Sequence, residues 1–169
     1  MSHLLLLQRQ SPKFANPDEY WLLRLTNERG IPRRLSVFTY CEFTNQWDTQ
    51  QDQVNLQYSL FIVKGEKVQN DLLRIAIQDN LTSRDTDAEK SDMGMYCWMG
   101  IAGAPVSRFD TSRQAFLGTY GDYGHPEAVM RGACSNSQAY GDNACGSYQV
   151  DLELQAGETR ELLVLPGDG

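Results

Sequence analysis

Residues 54–62 carry the cleanest pattern in the chain: Val54, Leu56, Tyr58, Leu60 and Ile62 alternate with Asn55, Gln57 and Ser59. Successive side chains of a strand point to opposite faces, so a period of two predicts a strand with one buried face. Trp21, Leu23 and Leu25 share a face in a strand beginning at Tyr20, and Asn27-Glu28-Arg29-Gly30 supplies the turn after it. Between Arg33 and Phe43, Leu35, Val37, Thr39, Cys41 and Phe43 lie on one side, with Phe38 and Tyr40 on the other. Both faces of that strand are therefore expected to be at least partly covered.

Leu73, Ile75 and Ile77 predict a further strand, and Met95, Cys97, Met99 and Ile101 another. Near the end, Tyr148, Val150, Leu152 and Leu154 alternate with Gln149, Asp151 and Glu153. Gln155-Ala156-Gly157-Glu158 then reads as a tight turn into a strand over Glu161 to Leu165, which predicts a hairpin. About seven strands and no convincing amphipathic helix point to an all-β fold, an antiparallel β-sandwich.

Three stretches lack a period. Residues 1–19 read as a lead-in or chain boundary, because Ser11-Pro12 and Asn16-Pro17 interrupt any helix starting there. Residues 79–92 form a charged loop with little to bury. Residues 108–147 hold Gly118, Gly121, Gly124, Gly132, Gly141 and Gly146 with no clear helical or strand repeat, and a stretch so irregular needs a rigid scaffold beneath it.

With 169 residues, 41% hydrophobic and 22% charged, the chain suits one folded domain. A formal net charge of -7 argues against nucleic acid or an anionic membrane as partner and favours an electrically neutral ligand. The apolar run Leu4 to Leu7 is too short for a signal-peptide core or a membrane span, so a soluble, non-secreted, cytoplasmic protein is expected.

Cys41, Cys97, Cys134 and Cys145 show no CxxC spacing, and His3 and His125 complete no ligand pattern with them, so no metal site is expected. Reduced and mostly buried thiols are the expectation, with a Cys134–Cys145 disulfide as the alternative.

No catalytic residue is assigned. The chain has no GxSxG elbow, P-loop, GxGxxG or HExxH. His125, fixed before Pro126 in a glycine-rich loop, reads as a structural residue, and Asp85, Asp87 and Glu89 read as a solvated surface. More informative is Asn45 to Gln57, in which seven of thirteen residues are Asn or Gln and Trp47 sits among them. Amides both donate and accept, which suits sugar hydroxyls, and an indole can cover the apolar face of a pyranose. An ordinary polar loop followed by a solvated strand face accounts for the same composition.

Six ordered blocks extend the reading: LSVFTYCEFTNQW from Leu35, QDQVNLQYSLFI from Gln51, FDTSRQAFLG from Phe109, HPEAV from His125, CSNS from Cys134 and ACGS from Ala144. Together, over roughly Tyr20 to Leu165, they resemble the inverting cellobiose and cellodextrin phosphorylases, and residues 45–57 are closer in form to the cellodextrin enzymes. The resemblance implies a large parent enzyme with an N-terminal β-supersandwich, a helical linker, an α/α catalytic barrel and a small C-terminal β-domain. Residues 20–169 then correspond to part of the supersandwich, without the barrel and its catalytic aspartic acid.

In the family so resembled, phosphate attacks the anomeric carbon with inversion while that acid protonates the leaving oxygen, giving α-glucose 1-phosphate. The partners implied are a β-gluco-oligosaccharide and inorganic phosphate in the parent, with no cofactor, and a homo-oligomer such as a dimer. The resemblance also raises Trp47, Asp48, Asn55 and Gln57 as substrate-binding candidates, in a segment expected to approach a cleft after the strand ending at Phe43. A free-standing carbohydrate-binding or oligomerisation module is the alternative.

Overall fold

The computed structural model describes residues 6–7, 20–43, 63–77, 96–141 and 143–168. Among them are strands β1 (Leu6–Leu7), β2 (Trp21–Thr26), β3 (Arg33–Thr39), β4 (Cys41–Glu42), β5 (Val63–Lys67), β6 (Leu73–Ile77), β7 (Tyr96–Ala102), β8 (Arg108–Ser112), β9 (Ala144–Leu154) and β10 (Thr159–Asp168), and helices α1 (Arg113–Leu117) and α2 (Glu127–Arg131). The expected strand over 54–62 and the charged loop over 79–92 lie outside the described residues.

The first sheet is organised on β9. One edge of β9 pairs with β3 and β4, which are separated only by Tyr40, and the other edge pairs with β8, so that Phe38 and Arg108 oppose Gln149 from opposite sides. β1 adds to β3 in parallel. The second sheet runs β2-β10-β7-β6-β5, antiparallel throughout. Val37, Cys41, Phe109, Tyr148 and Val150 from the first sheet meet Leu23, Leu73, Ile75, Met99, Leu162 and Val164 from the second, none more than 7% exposed. The fold is therefore the all-β sandwich that the alternation predicts, and each such buried aliphatic or aromatic side chain contributes about 1.5–3 kcal/mol.

Both faces of β3 are covered, as its pattern requires. Phe38, Tyr40 and Cys145 turn away from the inter-sheet core and are buried beneath Phe116, Leu117, Ala128, Val129 and Cys134. These covering residues belong to the stretch without a period, which contains β8 and two helices that the periodicity did not reveal. Each helix has only five residues, too short for a repeat to register. Their ends carry local signals instead: Ser112 Oγ accepts from the Ala115 N–H at 3.2 Å, and Gly132 closes α2 at φ 78.

The hairpin expected around Gln155–Glu158 is not one. β9 belongs to the first sheet and β10 to the second, so the turn is an arch between layers. β2 and β3 are joined by a parallel case of the same geometry, and the arches lie side by side because β3 pairs with β9 and β2 with β10. Asn27, 4% exposed, fastens them: its Nδ2 donates to the Ile31, Leu154 and Gln155 carbonyls at 2.9, 3.1 and 3.0 Å. Its backbone carbonyl accepts from Gly157 N–H at 2.9 Å, and Gly157 takes φ 73, where a Cβ is disfavoured. Alternation and turn composition locate strands and turns; they do not say whether two successive strands share a sheet.

Candidate functional site

Trp47, Asp48, Asn55 and Gln57 lie outside the described residues. The chain leading towards them is described as far as Phe43, and there a polar cluster is built around the carboxylate of Glu42. Three donors converge on its Oε1: the Tyr40 hydroxyl at 2.5 Å, Arg113 Nε–H at 2.8 Å and the Tyr123 hydroxyl at 2.9 Å.

Tyr40 reaches this position because it interrupts β3 and β4 and faces the helices, where its ring stacks on Phe116 at 4.9 Å. Arg113 opens α1, and its guanidinium carbon lies 5.8 Å from the centre of the Tyr123 ring. Burial pushes the Tyr40 phenol well above its ordinary value, with the negative charge of Glu42 adding to the shift. For Arg113, burial opposes the charged form, but hydrogen bonds with Tyr123 and Glu42 and the Glu42 charge outweigh it and hold the guanidinium firmly protonated. The phenols thus serve as donors, and the ion pair is fixed.

A second hub joins two of the sequence blocks that carry the resemblance. Asp110, fully buried in FDTS, receives the backbone N–H and hydroxyl of both Ser135 and Ser137 in CSNS, with the two hydroxyls at 2.7 Å. Asn136 between them adopts φ 58, and its Oδ1 accepts from the Phe109 N–H at 3.1 Å. Cys134 N–H donates to Gln149 Oε1 at 2.9 Å, completing the seam to β9. CSNS is wrapped round Asp110, whose Oδ1 is occupied by these N–H and hydroxyl donors, and the hub shapes the loop.

His125 is exposed, its Nδ1 lies 3.6 Å from Asp122 Oδ1, and its backbone N–H donates to the same oxygen at 2.9 Å. This is the geometry of a loop closure. No disulfide joins the four cysteines, and Cys41, Cys134 and Cys145 are buried. Burial and the nearby Asp110 charge push the Cys134 and Cys145 thiols far up, which makes them poor nucleophiles. Among the described residues no group of three or more His, Cys, Asp or Glu side chains is placed to hold a metal, and no helix is long and apolar enough to cross a membrane. Asp85, Asp87 and Glu89 lie outside the described residues.

The Glu42 cluster was not marked as a site by the sequence. Its donors lie 2, 71 and 81 residues away, and the only local hint was Tyr40 on the covered side of a strand that ends in a carboxylate.

The family model described as "Glycosyl hydrolase 94, supersandwich domain" matches residues 14–169. The chain is 28% identical over 143 residues to the solabiose phosphorylase of Paenibacillus borealis, covering 85% of this chain and 17% of that protein. It is 32% identical over 151 residues to the N,N'-diacetylchitobiose phosphorylase of Vibrio furnissii, covering 89% of this chain and 17% of that protein. It is also 29% identical over 154 residues to the 3-O-beta-D-glucopyranosyl-beta-D-glucuronide phosphorylase of Paenibacillus borealis, with shares of 85% and 17%. The chain spans about a sixth of the length of these curated relatives, 17% in each case.

Proposed function

We propose, from the premise that the chain belongs to the glycosyl hydrolase 94 supersandwich family, that it is the non-catalytic sandwich segment of a carbohydrate phosphorylase. The observation that carries this reading is that proteins named as phosphorylases of three different sugars match along 85–89% of this chain while the match occupies 17% of each of them. In the parent, phosphate attacks the anomeric carbon, the glycosidic bond to the leaving oxygen breaks, and an acid outside this chain protonates that oxygen. Residues 20–169 supply a partial sandwich domain behind the lead-in of residues 1–19, and the parent works as a cytoplasmic homo-oligomer.

Within this reading the substrate is a β-linked gluco-oligosaccharide, of the cellodextrin type that residues 45–57 resemble. Trp47 covers a pyranose face, while Asp48, Asn55 and Gln57 hydrogen-bond its hydroxyls. The fixed Glu42 cluster supports this assignment, because it gives the chain entering that segment a rigid footing. Incubating the protein with cellotriose and phosphate should release no glucose 1-phosphate, whereas cellodextrin titration should quench tryptophan fluorescence and Trp47→Ala should remove the response. Turnover that is lost on mutating a residue of this chain would refute the non-catalytic reading.

A further inference from the structure

We propose that Glu42, Arg113 and Tyr123 form a subsite for two adjacent hydroxyls of a neutral disaccharide, on the helix-covered side of the first sheet. The proposal rests on the reading that this chain meets sugar, and it places a contact on residues outside the Trp47–Gln57 segment.

Among the described residues the carboxylate of Glu42 is engaged through Oε1. Oε1 accepts all three donors, and among the described residues no hydrogen bond reaches Oε2. The guanidinium donates through Nε–H to Glu42 and is also hydrogen-bonded with Tyr123, and among the described residues no second carboxylate meets its Nη atoms, so further N–H groups of its fork remain for a ligand. The Arg113 and Glu42 side chains are 35% and 25% exposed, so the ion pair lies at the rim of the fold and not within the core.

An acceptor edge beside a donor edge, with charges that cancel, discriminates between ligands. A phosphate drawn to Arg113 would face the Glu42 carboxylate and be repelled. A hydroxyl both gives and receives, so one sugar oxygen can donate to Oε2 while its neighbour accepts from Nη, each as a charge-assisted bond.

The edges are also held in advance. The Tyr40 phenol that grips Oε1 is 0% exposed and stacked on Phe116, so Glu42 need not be ordered when the ligand arrives. Aromatic surface stands close in sequence. Tyr123 is half-buried at the cluster, and Tyr120 is 100% exposed on a turn closed by the Gly121 N–H to Gly118 carbonyl bond at 3.3 Å. A tyrosine held wholly in solvent offers its ring to the apolar face of a pyranose.

The test is titration of the isotope-labelled chain with cellobiose, followed by its backbone amide signals, with N,N'-diacetylchitobiose as a second probe. The expected result is movement of the Glu42, Arg113 and Tyr123 signals, and affinity weakened about tenfold by Glu42→Gln or Arg113→Met, the size of one lost charge-assisted hydrogen bond. Val150→Ala, which loosens the inter-sheet core without touching the cluster, should lower the unfolding midpoint and leave the affinity unchanged.

Trp47→Ala separates the two proposals. A loss of affinity in Trp47→Ala with none in Glu42→Gln overturns the subsite alone, leaving a solvated structural ion pair. The reverse result overturns the Trp47 assignment alone and supports the subsite. No binding of either sugar at millimolar concentration overturns both.

Discussion

Tyr148 reaches across the sandwich to Met99: its hydroxyl, carried by the first sheet, lies 2.5 Å from the Met99 carbonyl oxygen in the second. The same hydroxyl lies 2.6 Å from the Asp71 carbonyl and accepts from the Leu73 N–H at 3.3 Å, so it ties the β5–β6 turn and β7 to β9. Tyr148→Phe keeps the ring and removes that tie, leaving a buried N–H without its acceptor. A loss of about 1–2 kcal/mol is expected in denaturant unfolding, with the native fold retained.

Asp110→Ala is expected to cost more, about 3 kcal/mol or above, because the backbone N–H groups and hydroxyls of Ser135 and Ser137 all lose their acceptor. Asp110→Asn keeps one carbonyl oxygen facing these donors and should fall between the wild type and alanine. Equilibrium unfolding of the three proteins checks the order.

Gly65 sits under Thr111, and a Cβ at Gly65 would lie 2.7 Å from both Thr111 Cβ and Oγ1. Thr111 cannot move aside cheaply, since its Oγ1–H donates to the Gly65 carbonyl at 2.9 Å and its Oγ1 accepts from the Ala139 N–H at 2.9 Å. Gly65→Ala should therefore destabilise by about 2 kcal/mol. Gly30→Ala, which meets nothing within 4 Å, should be neutral by the same measurement.

Acid should erode stability through named carboxylates. Burial opposes ionisation of Asp151, but hydrogen bonds from Ser36, Gln149 and Ser107 outweigh it and hold the carboxyl below its ordinary 3.8. Hydrogen bonds from Lys64 and Arg74 likewise hold Glu66 below 4.5. In each case the unfolded chain takes up its proton first, so the stabilisation is complete above the ordinary value and is lost as the pH falls through it and then through the folded value. Unfolding midpoints measured from pH 6 down to about pH 3 should fall most steeply below about pH 4.5, and less steeply in Asp151→Asn.

Much of this architecture is legible in the residues. Leu23, Val37, Ile75, Met99 and Val150 were placed on their buried faces by alternation alone, and Phe38 and Tyr40 announced a second covered face on β3. The helices that do the covering were hidden, since five residues show no period, and β8 was hidden within the same glycine-rich stretch. The Gln155–Glu158 turn is legible but its role as an arch is not, because β10 pairs with β2 and β7, both distant in sequence, and not with β9. The Glu42 cluster was illegible for the same reason, its Arg113 and Tyr123 donors being distant in sequence and close only after folding.

The paired arches also set an order of events during synthesis. Asn27 and the Gln155 carbonyl it engages are 128 residues apart, and Thr26 meets Thr159 across 133. β2 and β3 must therefore leave the ribosome and wait, with Leu23 and Val37 uncovered, until β9 and β10 have been made. Contacts this remote are slow to form, because the loop must close before any of them is rewarded. The interval before residue 154 emerges is when the nascent chain most needs a chaperone, and a stop codon placed there would yield an aggregate and not a smaller sandwich.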